Sequence, residues 1–133
     1  MTSRRGDRGQ ASVWVLLMVP ALIIVIGFVV DGGQKTRADQ AAQSAAIAAA
    51  RAATDASATG ELGGRPNSAA AISAARRYLS QAGVSGSVQL AAGRVTVTTS
   101  STAPTRFLSL IGIGAVTGHG QAESRLLATG QTP

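Results

Sequence analysis

Residues 11–30 read ASVWVLLMVPALIIVIGFVV, twenty consecutive positions without an ionisable side chain, set between RRGDRG (4–9) and DGGQKTR (31–37). As a helix this run rises about 30 Å, the thickness of a bilayer's hydrocarbon core. Pro20 removes one backbone hydrogen bond, a defect that membrane helices tolerate better than soluble ones. Gly27 allows close approach of another element, although no GxxxG pair accompanies it. Two other readings compete with a span. A cleavable signal would share the basic start, but the apolar run is long for one and DGGQK offers no small-x-small cleavage site. A buried soluble helix would need a core that the rest of the chain is too short to build.

The flanks set the expected orientation. Arg4, Arg5 and Arg8 precede the run and Lys35 and Arg37 follow it, a bias toward an N terminus inside and the bulk of the chain outside the cytoplasmic membrane. The same three arginines form a basic arm over residues 1–10, suited to the membrane interface. Asp31, the first charge after the run, either marks the lipid–water boundary or pairs with Lys35 four residues on.

Composition narrows the function classes. The net charge of +6 comes mainly from arginines dispersed along the chain, without the aromatic, glycine-rich or zinc-finger patterns of nucleic-acid binders, so no nucleic-acid partner is expected. Absence of cysteine excludes disulfides and thiol chemistry. His119 is the only histidine and sits between two glycines, with no nucleophile elbow or metal-binding helix in the sequence. The carboxylates are sparse, and neither an EF-hand nor a phosphate loop is present. We expect no enzyme activity, no metal and no cofactor.

After the apolar run, ADQAAQSAAIAAARAATDAS (38–57) is a strong helix former with an almost wholly alanine apolar side, on which Ile47 is the one large anchor. It reads as a juxtamembrane helix over 31–58, continuing the span across the flexible Gly32-Gly33 pair. Gly60 ends it, and TGELGGRP (59–66) is a loop. Asn67 or Ser68 caps a second helix to about Gln81, with Ala71, Ile72, Ala75, Tyr78 and Leu79 on one face and Gly83 as terminator. The period then changes to two. Val88 and Leu90 share a face of one strand and Val95 and Val97 of the next, joined by a three-residue Ala91-Ala92-Gly93 hairpin loop. Pro104 ends the second strand, and a third is expected at about 115–123, weakened by Gly118 and Gly120.

Between these strands PTRFLSLIGIG (104–114) carries the densest apolar cluster outside the first helix. Phe107, Leu108, Leu110, Ile111 and Ile113 read first as the core of the small domain. The other reading is a short element touching the membrane surface or a partner, with Arg106 facing phosphate headgroups. The exported α+β domain then spans 59–127, and residues 128–133 form a flexible tail.

Taken together, Gly9, the aliphatic run broken at Pro20, Gly27, Asp31, the Ala/Gln-rich helix, RRYL (76–79), the Val/Thr strands and PTRFLSLIGIGAVTGHGQAES resemble TadE/TadG-like proteins of tight-adherence (Flp-type, type IVc) pilus systems, in their short actinobacterial form. The resemblance implies a pilin-like fold and a single-pass pseudopilin or minor-pilin-like component supporting pilus assembly or anchoring. Its partners would be the lipid bilayer and pilin subunits or inner-membrane assembly proteins, in a homo- or hetero-oligomer. Trp14, Pro20, Gly27, Ala42, Ala45, Ile47 and Ala49 are then candidates for helix packing between subunits. In prepilins of these systems cleavage follows a glycine, which makes Gly9–Gln10 the candidate processing boundary. The fifth position beyond it is Trp14 where those prepilins carry glutamate, a departure that favours a chain retained whole in the membrane. The alternative is a membrane-anchored envelope binding module unrelated to pili.

Overall fold

A computed structural model describes residues 7–62 and 67–126. One helix, α1 (Asp7–Leu62), runs unbroken through Pro20 and the Gly32-Gly33 pair, which is therefore no hinge. It also passes Gly60 and ends later than expected, since a glycine costs a helix only about 1 kcal/mol. The rest of the expected loop, 63–66, and the tail lie outside the described residues.

The second helix, α2 (Ser68–Gln81), begins where the sequence places it: the Asn67 side chain accepts from the Ala70 amide at 3.1 Å. Ala71, Ala75 and Leu79 form its buried face. Three strands follow, β1 (Ser85–Ala91), β2 (Arg94–Pro104) and β3 (Ala115–Arg125), in an antiparallel meander of order β1-β2-β3. The fold class is α+β, with both helices on one face of the sheet. The β1–β2 loop has two residues rather than three. Ala91 pairs with Arg94, and Ala92 (φ 49°) and Gly93 (φ 70°) both take the left-handed conformation that matches strand twist in the tightest hairpins.

Only the C-terminal half of α1 takes part in the core. Ala45, Ala46, Ala49, Ala50 and Ala53 meet Ala71, Ala75 and Leu79 of α2 and Val88, Val95 and Val97 of the sheet. Ile47 is 39% exposed and anchors nothing, because it lies off this stripe. The 107–113 cluster is not the domain core either: a 3₁₀ turn, η1 (Leu108–Ile111), buries none of its residues.

Partner strands place three rows of residues toward the helices: Leu90–Val95–Ser124, Val88–Val97–Ala122 and Gly86–Thr99–Gly120. The side chains shrink along this series, and at its small end α1 comes closest. A Cβ on Gly118 would collide with the backbone of Ala38 and Asp39, and one on Gly120 with that of Ala42 and Gln43. Further along, the Ser124 hydroxyl donates to the Ala50 carbonyl at 3.1 Å. Two strand residues thus advance with four helix residues, steps of about 6.7 Å and 6 Å that stay matched over several turns. The two glycines that weaken the strand pattern are its contact points.

Replacement of Gly118 or Gly120 by alanine should therefore destabilise the domain by about 3 kcal/mol or more, since backbone on both sides resists displacement. Gly114→Ala, whose added methyl meets nothing within 4 Å, should stay within about 0.5 kcal/mol of the parent. Denaturant unfolding of the full chain in detergent micelles measures both.

Candidate membrane and assembly interface

Along α1, Gly27, Asp31, Ala38, Ala42, Ala45, Ala46, Ala49, Ala50, Ala53 and Ser57 are buried, a single stripe facing the domain. From Gly9 to Ile26 every residue of the helix is exposed. Large apolar side chains from Val13 to Val30 project in every direction, with Trp14 63% exposed. This helix is long and apolar enough to cross a membrane.

Where the bare half meets the covered half sits Asp31, only 1% exposed. One carboxylate oxygen accepts the Arg106 amide at 2.8 Å, and the other accepts those of Phe107 at 2.9 Å and Leu108 at 2.6 Å. Phe107 then lies over Gly27, where a Cβ would stand 3.0 Å from the ring's Cγ. Burial pushes the Asp31 carboxyl up, but the three amides, with the Arg106 charge, outweigh it and hold it below the ordinary carboxylate range. Asp31 does not pair with Lys35. That ammonium instead meets Asp39 one turn further on, at 2.5 Å.

Asp39 and Gln43 form a second polar contact. Asp39 accepts the His119 amide at 3.1 Å. The Gln43 side chain accepts the Gln121 amide at 3.1 Å and donates to the Gln121 carbonyl at 2.9 Å, as a neighbouring strand would. These side chains cover part of the β3 edge and block its pairing with another chain. Thr99 donates to the Ala42 carbonyl at 2.6 Å from within the core. Lys35 first, and the His119 amide next, keep Asp39 below the ordinary carboxylate range.

The structure divides the expected packing residues into two groups. Gly27, Ala42, Ala45 and Ala49 face the chain's own domain, whereas Trp14, Pro20 and Ile47 are exposed. Gly9 and Gln10 lie in the first turns of α1. Arg4, Arg5 and the side chain of Arg8 lie outside the described residues. Arg106 is exposed at the edge of the 107–113 segment, where Leu110 is 83% and Ile111 72% exposed, Ile113 about half, and Phe107 and Leu108 less. His119 is exposed on β3, and among the described residues no group of three or more histidine, cysteine or carboxylate side chains could hold a metal ion. Sequence reasoning missed the roles of Asp39, Gln43, Gly118 and Gly120. The signal was available as a spacing: alanines four apart on a helix and glycines two apart on a strand.

The arrangement defines a class, a small α+β domain riding on one end of a helix able to cross a membrane. Residues 9–58 match the family described as putative Flp pilus-assembly TadE/G-like. Over that stretch the chain is similar to that family, the resemblance its residues suggested. The match ends within α1, so α2 and the sheet lie beyond it. No curated protein and no solved structure matches the chain.

Two predictions follow from the carboxylates. Asparagine at position 31 offers one acceptor oxygen to three donors, so Asp31→Asn should raise hydrogen exchange at Arg106, Phe107 and Leu108 by about ten- to a hundredfold. Both carboxyl groups are held below their ordinary value, about 3.9, so their contribution is fully present above that value and is lost as pH falls through the lowered ones. Amide protection at 106–108 and at His119, corrected for intrinsic exchange, should stay constant from neutrality to about pH 5 and fall below about pH 4. A transition near neutrality would contradict this assignment.

Proposed function

We propose that this chain is a membrane-anchored, pseudopilin- or minor-pilin-like component that supports assembly or anchoring of a tight-adherence pilus. The observation that carries the reading is the bare apolar half of α1, which lies within the region matched to the Flp pilus-assembly family. Residues 11–30 span the cytoplasmic membrane with the N terminus inside, and the α+β domain stands outside. Because Ala42, Ala45 and Ala49 are occupied within the chain, packing against pilin or platform helices falls to the span. Trp14 supplies a large lateral contact, and Pro20 leaves an unpaired carbonyl one turn back that a neighbouring helix can satisfy.

Trp14 also bears on processing. A filament subunit of the usual kind pairs the charge of its fifth residue with its neighbour, and an indole offers none. The chain therefore stays whole beside the filament rather than entering it.

Deletion of the gene in its host tests the role. Loss of surface filaments, restored by the wild-type gene, is the expected result, with the Gly9–Gln10 peptide bond intact in protein recovered from washed membranes. Normal filaments in the deletion strain would refute the assembly role and leave the envelope-binding alternative. A chain starting at Gln10 in sheared filaments would overturn membrane retention.

A further inference from the structure

We propose that residues 106–113 form a wedge that enters the outer edge of the bilayer beside the span, so that the protein holds the membrane at two points. This inference rests on the reading of residues 11–30 as a span. Phe107 packs over Gly27, four residues before Asp31 on α1 and so about 6 Å further into the apolar half. The segment is thus fixed against the part of the helix that lipid would surround, at the depth of about 5–10 Å typical of interfacial apolar faces. Its outward side chains, Leu110, Ile111 and Ile113, are large, aliphatic and substantially exposed. They continue the apolar surface of Ile24 and Phe28 across a groove lined only by apolar residues and Gly27.

The backbone makes lipid the fitting occupant. Hydrocarbon offers no hydrogen-bond partner, so a non-helical segment can enter it only with its amides satisfied from within. Asp31 takes the amides of Arg106, Phe107 and Leu108. Those of Leu110, Gly112 and Ile113 donate to carbonyls of the same turn at 3.0–3.2 Å. The Ser109 hydroxyl donates to the Arg106 carbonyl at 2.8 Å. Asp31 is itself sealed beneath the segment, while exposed Arg106 stands at its rim, where a guanidinium meets phosphate. A wedge inserted in this way prevents the span from sliding along the membrane normal or rotating about its axis.

The chain contains no cysteine, so single cysteines at exposed positions report depth without disturbing the core. Full-length Leu110→Cys, Ile111→Cys, Val19→Cys and Gln89→Cys variants, each carrying an environment-sensitive fluorophore, are reconstituted in vesicles of phosphatidylethanolamine and phosphatidylglycerol. Nitroxide lipids labelled high on the acyl chain should quench the probes at 110 and 111 severalfold more than the one at 89. Nitroxides near the chain end should quench the probe at 19. Quenching at 19 without quenching at 110 and 111 would overturn the wedge and leave the span intact, and this includes the case of probes shielded from both lipid and aqueous quenchers by a protein partner. Absence of quenching at all four positions would overturn the span as well.

Discussion

The structure depends on how closely a helix can lie against a strand. Alanine and glycine bury little area apiece, so a domain with few large side chains gains cohesion only if the backbones themselves approach. Gly118 and Gly120 permit that approach to Ala38 and Ala42. Once the surfaces meet, Thr99 and Ser124 reach helix carbonyls, and Asp39 and Gln43 reach strand amides. Larger residues at the two glycines would remove these polar contacts together with the apolar ones.

Asp31 works on the same principle at the other end of the interface. A carboxylate at the foot of an apolar helix would ordinarily face water or a lysine. Here it substitutes for the strand or helix that the 106–108 backbone lacks, and so lets a string of apolar residues lie beside the span. Lys35 remains available for Asp39, which steadies the start of the strand contact. Two acids eight residues apart on α1 thereby fix the loop and the strand that leads out of it.

Much of this architecture was legible in the sequence, because local physics determined it. The length of the 11–30 run, the Asn67 cap, the Gly83 stop and the alternation of Val88, Val95 and Val97 each predict an element from near neighbours alone. What was not legible depended on partners distant in sequence. The 107–113 cluster looked like a core because its residues are apolar, yet the alanine stripe and the β2 valines already filled that place. Ile47 looked like an anchor because it is large, in an interface that selects small residues. Lys35 had two carboxylates at equal spacing, and only the folded loop shows that one is taken. The Ala91–Gly93 connection is one residue tighter than its sequence suggests because alanine rarely adopts the positive φ that Ala92 holds.

The unbroken course of α1 through Gly32 and Gly33 has a mechanical consequence. With contacts to β3 from Ala38 to Ala50 and no change of secondary structure between the apolar half and this platform, the sheet's pose is tied to the axis of the N-terminal half. If a neighbouring helix or a change in bilayer thickness tilts that half, the exposed face of the sheet swings with it, as the head of a lever follows its shaft.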